Sequence, residues 1–447
     1  MKRIILLTTL LIFQLGLKAQ TNPAITSWLQ NTTTMGRHYV SGNSTPITDN
    51  DLVNVQIVQY DANYSYVSAT GIPAYVTGPF LDGNPSLATA QNSIFKIPLN
   101  PSQNMGTPTV GGMGNIGVFI NGTALFNYAD GVSWNPTTNA LCGGPGNPPC
   151  PGGPMATMDW NRDAIPAEMD GFDCSKGHPA MGNYHPHQNP SAFKLDLNVL
   201  STICNTYDAD GLYAIDSTQH APLIGFAYDG FPIYGAYSYA DVNGTGAITR
   251  MKSSYELGSS TTRTNGPNVT STYFNGYFKE DYTFVSHPGS TDYLDEHNGR
   301  FCVTPEYPAG IYCYFATVDA NWNSTYPYAV GPTFYGVYDV STVTSTPGGT
   351  TTYSTTSIAE SLLNAVEINV YPNPANDFIV MQFNSLVKQN INVELFDITG
   401  KSVQKSIIYQ GSTIANIDTR VLYSGQYILK FTTKSEVVTR KIILAKD

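Results

Sequence analysis

The sequence predicts a mainly β protein, with a large β-rich domain followed by a small immunoglobulin-like β-sandwich. Short apolar or alternating runs recur along the chain, for example at residues 53–60, 116–120 and 310–316, whereas helical periodicity is poor. Asn121-Gly122, which stands between two apolar triplets, is a strong signal for a two-residue hairpin. Tyr, a good strand former, is abundant at 30 of 447 residues.

The N-terminal segment has the three parts of a secretory signal peptide. Residues 1–3 are a short positive region, residues 4–17 are mostly apolar, and Ala19 offers a small residue before the cleavage point. We therefore predict that residues 1–19 are removed and that the mature chain begins at Gln20. No other stretch reaches about 18 apolar residues, so the sequence predicts export without a transmembrane segment.

The amino-acid composition argues against some classes of binding partner and favours others. The formal net charge is −11, from 22 basic and 33 acidic residues, and this argues against nucleic acid and anionic membrane surfaces. Tyr, Asn and Thr are abundant, and their side chains are typical of surfaces that contact sugars. A glycan or another surface polymer is therefore the candidate partner that the composition favours.

Three of the seven histidines lie within ten residues, namely His178, His185 and His187. In an extended backbone residues i and i+2 share a face, and Pro186 biases His185 towards that conformation. His185 and His187 can then converge on one ion, and His178 is far enough upstream to return across a turn as a third ligand. Imidazoles suit a divalent transition metal such as Zn, Cu or Fe. The alternative is a structural or substrate-contacting loop in which the rings bond to backbone carbonyls.

Further ligands of such a site would come from elsewhere in the chain. His297 is a candidate, together with a carboxylate from Asp229, Asp295 or Glu296, because these residues lie beside turns that contain Gly. A metal with an open coordination position would activate water or handle oxygen chemistry. Alternatively, the aspartates only cap turns, and whether the protein is an enzyme stays open.

Calcium is not expected. The best candidate loop, residues 241–252, begins like an EF-type loop but has Lys252 where a bidentate carboxylate belongs.

The six cysteines form an even set in a chain predicted to enter an oxidising compartment, which favours disulfides over thiolate metal ligands. Six cysteines allow 15 pairings. The nearest-neighbour hypothesis pairs Cys142 with Cys150, Cys174 with Cys204, and Cys302 with Cys313. A bridge at Cys174 would hold the start of the histidine segment in place.

A change in composition divides the chain. Residues 341–364 are mostly Ser, Thr, Gly and Pro, and are predicted to form a linker between a domain at 20–340 and a domain at 365–447. A Thr-rich edge strand is the alternative interpretation of this segment. The last domain contains YPNPA at 371–375, FDITGK at 396–401 and SGQY at 424–427. It resembles the type A C-terminal sorting domain of the type IX secretion system of Bacteroidetes.

This resemblance implies a route and a partner. Sec export would deliver the chain to the periplasm, and the type IX secretion machinery would carry it across the outer membrane. The product would then be secreted or attached to the cell surface.

The large domain also resembles a known family. It contains GNYHPH at 182–187, LIGFAYDGFPIYG at 223–235 and LDEHNGRFC at 294–302, and further blocks extend the likeness over residues 78–335. Together they resemble the YHYH-domain family, which is named for a Tyr-His-Tyr-His tetrad. The second tyrosine of that tetrad is Pro186 here. The resemblance implies no particular reaction, and we expect an exported protein that binds a divalent metal through His185 and His187. The alternative is a non-enzymatic surface adhesin or glycan-binding protein.

Overall fold

The computed structural model describes residues 22–446 except 82–85, 145, 154–157, 194–201, 210, 214, 340–341, 354–367, 384–385, 388–389 and 434–436. The predicted signal peptide lies outside the described residues. The chain divides into two compact units, Met1–Tyr353 and Ser354–Asp447. The domain limits 20–340 and 365–447 stay predictions. No helix within the described ranges is long and apolar enough to cross a membrane.

The N-terminal unit is built from short strands with little helix. Its helices are α1 (Pro23–Thr26) and α2 (Ala164–Glu168). Its strands are β1 (Met35–Val40), β2 (Asn43–Leu52), β3 (Val55–Tyr60), β4 (Tyr64–Ala69), β5 (Ser93–Pro98), β6 (Asn115–Phe119), β7 (Ala124–Phe126), β8 (Ala129–Asn135), β9 (Ala140–Cys142), β10 (Asn161–Asp163), β11 (Gly177–Ala180), β12 (Asn183–Pro186), β13 (Leu223–Ala227), β14 (Pro232–Tyr234), β15 (Tyr237–Tyr239), β16 (Ile248–Arg250), β17 (Tyr255–Leu257), β18 (Tyr282–Phe284), β19 (Gly299–Cys302), β20 (Ile311–Phe315), β21 (Thr342–Val343) and β22 (Thr351–Tyr353). The prediction of a mainly β fold is confirmed.

Two sheets enclose the main core of this unit. One has the strand order β19-β20-β14-β13-β6-β7, and the other has the order β21-β5-β4-β3-β22. Every residue of β13 and β14 is buried, as expected for central strands covered on both faces. Val67 and Phe95 of the second sheet belong to the same apolar cluster as Phe226 of β13, so the two sheets share one core.

The Ser/Thr-rich segment contributes to this fold. Thr342–Val343 pairs with β5 and Thr351–Tyr353 pairs with β3, at opposite edges of the five-stranded sheet. For these residues the edge-strand alternative replaces the linker interpretation, because β-branched Thr pairs well at a sheet edge even where it buries little surface. Residues 354–364 of the predicted linker lie outside the described residues.

The described residues of the C-terminal unit form two sheets. Its strands are β23 (Ile368–Tyr371), β24 (Phe378–Phe383), β25 (Ile391–Asp397), β26 (Ser402–Ile408), β27 (Ile414–Asp418), β28 (Gly425–Thr432) and β29 (Val437–Leu444). They form sheets of order β23-β24-β27 and β26-β25-β28-β29. Inward-facing residues such as Ile379, Leu395 and Phe431 form one separate core. Seven strands in two sheets form the predicted β-sandwich.

Two of the three predicted disulfides are present. Cys142 bonds to Cys150 and Cys174 bonds to Cys204. The third pairing needs correction, because Cys302 and Cys313 are free, buried thiols. The β19–β20 register places Cys302 opposite Ile311 and Cys313 opposite Arg300. The two residues are therefore diagonal neighbours, and their thiols interact with each other without forming a disulfide bond.

Candidate metal centre

A tight hairpin of β11 and β12 carries the histidine cluster. The strands are antiparallel, and His178 lies directly opposite His185. Met181 and Gly182 form the two-residue turn, with φ of +50° and +85°, which is the conformation of a type I′ hairpin turn. The Cys174–Cys204 bond ties down the chain just before β11. Because partners across an antiparallel pair share a face, the two imidazoles project to the same side.

The three clustered histidines meet in the interior. Their ligand atoms all lie within 4.8 Å of one another, and His178, His185 and His187 are only 7%, 1% and 4% exposed. The ring centroid of His185 is 4.7 Å from that of His178 and 4.9 Å from that of His187. The cluster could therefore hold a metal ion, and its members are the three histidines that the sequence singles out.

Backbone carbonyls fix two of the rings. The Nδ1–H of His185 donates to the carbonyl of Asn183 at 2.8 Å, and that of His187 donates to the carbonyl of Asn127 at 2.5 Å. Such bonds are the usual outer support of metal-binding histidines, because they set the tautomer and leave Nε2 unprotonated. The alternative interpretation from sequence, in which the rings bond to backbone carbonyls, holds for Nδ1 of His185 and of His187. Nε2 of both rings remains available to a metal.

Glu168, which the sequence analysis missed, completes the cluster. Its Oε2 lies 3.2 Å from Nε2 of His178 and 3.1 Å from Nε2 of His187. These distances suit an ion pair, yet none of the three atoms makes a hydrogen bond of acceptable geometry with any described residue. Nδ1 of His178 has no such partner either. Glu168 is the last residue of the five-residue α2, a position that no sequence spacing relates to the histidines.

Burial and charge act in opposite directions on these groups. Burial lowers the pKa of His185 well below its usual value, and the neighbouring His187 and His178 lower it further, so His185 is neutral. Burial alone would raise the pKa of Glu168, but His178 and His187 outweigh it and the pKa is lowered. Glu168 in turn raises the pKa of His187 against the effect of burial. A neutral imidazole and an ionised carboxylate are the forms that bind metal ions, so a protonated His187 would release its proton on binding one.

Aromatic rings enclose the cluster. Phe126 of β7 stacks on His185 with a centroid distance of 3.5 Å, and Phe172 contacts His178 edge-on at 4.9 Å. These rings cover the imidazoles, whose free nitrogens are buried, and the partly exposed side chain of Glu168 marks the side that faces solvent.

Tyr184, the first residue of the tetrad, lies on the other face of β12. Its hydroxyl donates to both oxygens of Asp173, at 3.0 and 2.9 Å. The backbone N–H groups of Gly78 and Ser175 also donate to Asp173. Tyr184 therefore anchors the strand that presents His185.

The other predicted site residues lie outside the cluster. The three-histidine group includes none of His297, Asp229, Asp295 and Glu296. Nδ1 of His297 contacts Oγ1 of Thr333 at 2.7 Å. Asp229 and Asp295 accept hydrogen bonds from the hydroxyls of Tyr314 and Tyr312 and from backbone N–H groups, and burial raises the pKa of Asp229 to about 6. Glu296 is exposed, with its carboxylate 4.0 Å from Nε2 of His297. The interpretation of the aspartates as turn-stabilising groups accounts for these contacts.

Comparison with known families agrees with this architecture. The family model described as YHYH protein matches residues 94–327, which span more than half of the chain and include the hairpin and the aromatic rings around it. The chain belongs to the YHYH protein family. In this YHYH protein the tetrad reads Tyr184-His185-Pro186-His187, and both histidines enter the cluster.

A second family model, described as a secretion system C-terminal sorting domain, matches residues 369–445. The YHYH protein is therefore directed across the outer membrane to the cell surface or the medium, and its tail interacts with the secretion machinery. The predicted sorting domain and localisation are confirmed.

Comparison with individual proteins adds little. No curated protein matches. A DUF3244 family protein from Bacteroides vulgatus ATCC 8482 with an immunoglobulin-like β-sandwich fold is similar over 18% of this chain and 86% of its own, with 17% sequence identity and a TM-score of 0.16.

Proposed function

We propose that this exported YHYH protein binds one divalent transition metal ion through His178, His185 and His187. The observation that carries the proposal is the convergence of three buried imidazoles whose Nε2 atoms are not used as donors to the backbone. Zn, Cu and Fe all accept imidazole ligands, and an all-nitrogen face of three histidines suits each of them. In the present geometry an ion would occupy the space between the rings.

The energetics favour an ion over a purely structural cluster. A buried polar atom without a partner costs about 1–3 kcal/mol. Nδ1 of His178 has no hydrogen-bond partner among the described residues, and Nε2 of His178 and of His187 have only Oε2 of Glu168 nearby, at 3.2 and 3.1 Å. Phe126 and Phe172 occupy the space around them, so solvent does not relieve this cost. A metal ion would satisfy Nε2 of each histidine in one step, without disturbing the bonds from Nδ1 of His185 and His187.

Metal content of the mature full chain tests this proposal. The protein is purified, loaded with each of Zn²⁺, Cu²⁺ and Fe²⁺, desalted and measured by mass spectrometry. About one equivalent is expected for the wild type, and much less for the His185→Ala/His187→Ala double variant. His297→Ala is the matched control, since His297 is buried but lies outside the cluster. A wild type that takes up none of the three metals overturns the proposal.

A glycan-binding function is the second candidate, and a groove elsewhere on the unit favours it. The groove has a volume of about 390 Å³ and is lined by rings and polar groups of Phe284, His287, Tyr293, Asp295, Glu296 and Phe301. Phe301 is 60% exposed, and His287 stacks on Tyr293 with centroids 3.7 Å apart. Flat rings beside carboxylates suit a sugar, because one face packs while the hydroxyls donate to the acids.

A glycan array tests this second candidate. Binding by the wild type that is lost in Phe301→Ala and Tyr293→Ala, but kept in the His185→Ala/His187→Ala variant, supports it. Absence of any glycan signal, or a signal that the groove variants retain, contradicts it.

A further inference from the structure

We infer that Glu168 is the fourth ligand of the metal ion and closes the three-histidine face with a carboxylate oxygen. This inference rests on the proposed function. No sequence motif marks Glu168 as a ligand. Its carboxylate would be added to the three imidazole nitrogens on the side that faces solvent, which makes the site four-coordinate.

The distances fit the geometry of a bound ion. In a tetrahedral zinc site with ligand bonds of about 2.0–2.2 Å, neighbouring ligand atoms are about 3.3 Å apart. Oε2 of Glu168 lies 3.2 Å from Nε2 of His178 and 3.1 Å from Nε2 of His187. Both distances match that separation, and the histidine ligand atoms, which lie within 4.8 Å of one another, would draw closer around an ion.

A metal-free ion pair between Glu168 and the two imidazoles is the rival explanation. In such a pair an imidazole N–H would point at the carboxylate oxygen. Here the separations of 3.1 and 3.2 Å lack the angles of a good hydrogen bond, although Glu168 still raises the pKa of His187 as an ion-pair partner does. Zinc binding that depends on Glu168 distinguishes a ligand from an ion-pair partner.

The fold holds Glu168 in place from both sides. The side chain of Asp163 caps the start of α2 by accepting the N–H of Ile165 at 2.9 Å, and the hydroxyl of Tyr328 donates to Asp163 at 2.5 Å. After Glu168 the chain passes through a 3₁₀ turn to Phe172, which packs on His178. A ligand anchored in this way is preorganised.

The mixed donor set has a chemical consequence. Three imidazoles and one carboxylate favour Zn²⁺ or Fe²⁺ over Cu⁺, which prefers soft sulfur ligands. The side chain of Glu168 is 24% exposed, against 9% for His178 and 3% for His187. Glu168 is therefore the ligand that water or a small anion would displace, so exchange at the metal would take place on its side.

Titration of the full-length mature chain with Zn²⁺ and Co²⁺ tests the inference. Zn²⁺ affinity is measured by competition with a chromophoric chelator, and the Co²⁺ absorption bands report the coordination shell. Glu168→Gln should weaken Zn²⁺ binding at least about 10-fold and alter the Co²⁺ spectrum. Glu296→Gln, which removes an exposed carboxylate outside the cluster, is the matched control and should change neither.

The outcomes separate the two proposals. No binding by the wild type overturns the proposed function. Wild-type affinity and an unchanged spectrum in Glu168→Gln overturn this inference alone. If Glu168→Gln does not fold, a crystal structure of the zinc-loaded wild type decides instead. A distance from Zn to Oε2 of about 2.0–2.2 Å supports the inference, and one beyond about 3 Å overturns it.

Discussion

His178 lies directly opposite His185 in the β11–β12 hairpin, and this pairing turns a run of ten residues into a cluster. His187 follows His185 by two positions and therefore returns to the same side of the strand. Tyr184, which immediately precedes His185, points to the opposite side and bonds to Asp173. One hairpin thus presents two histidines that face each other and a third beside them, while its other face is held in the fold by a buried hydrogen bond.

Tyr184→Phe should destabilise the N-terminal unit and leave metal stoichiometry unchanged. The variant removes the hydroxyl that donates to Asp173, whose pKa burial raises to about 7, and a buried group that loses a hydrogen-bond partner costs about 1–3 kcal/mol. The free energy of unfolding by urea measures the loss. Tyr338→Phe is the control, because that ring is 43% exposed and surface changes usually stay within about 0.5 kcal/mol. Loss of metal from a folded Tyr184→Phe would show that the hydroxyl acts on the cluster itself.

Metal loading should stabilise one unit of the chain and not the other. The two units have separate cores, and the cluster lies in the first. An ion that binds only the folded state stabilises it by about 2.7 kcal/mol when its concentration is 100 times Kd. Calorimetry should therefore show two transitions, of which only that of the N-terminal unit moves to lower temperature when a chelator is added. The His185→Ala/His187→Ala variant should show no chelator effect, and a shift in both transitions would contradict the assignment.

The histidine part of the site could be predicted from sequence because its geometry is local. A two-residue spacing and a short return turn bring His178, His185 and His187 together within ten residues. Glu168 could not be predicted in the same way, because only the tertiary fold brings the end of α2 to the hairpin. For the same reason the sequence predicts His297 as a ligand of the cluster, whereas its Nδ1 contacts Thr333 in the fold.

The fold, like the site, could be predicted from the sequence only in part. Alternating apolar runs predict strands, and the mainly β class is confirmed. Sheet order could not be obtained from them, because strands such as β14 and β20 pair in parallel across a long stretch of chain. The register of β19 and β20 could not be obtained from the sequence either, and it sets Cys302 and Cys313 diagonally rather than directly opposite each other.

Cys302 and Cys313 should be present as thiols in the folded protein. The β19–β20 register offsets them diagonally, and both side chains are buried, which hinders access by oxidants. Alkylation in denaturant without reductant, followed by mass spectrometry, should label two cysteines per chain, at these positions. Cys142 and Cys174 serve as internal controls that react only after reduction. Complete resistance to alkylation before reduction would mean that the third disulfide forms.

Gly182→Ala should weaken metal binding without altering any ligand. Gly182 has φ of +85° in the hairpin turn, and an added Cβ would also collide with Oγ1 of Thr89. A residue with a side chain is strained at such a φ by about 1 kcal/mol or more, so the hairpin that pairs His178 with His185 should be distorted. A loss of about 1.4 kcal/mol in binding would lower Zn²⁺ affinity about 10-fold, measured by chelator competition. Met181→Asn is the matched control, since Asn tolerates the φ of +50° at this exposed position and should keep wild-type affinity. Equal affinities in Gly182→Ala and the wild type would show that the imidazoles converge independently of the turn.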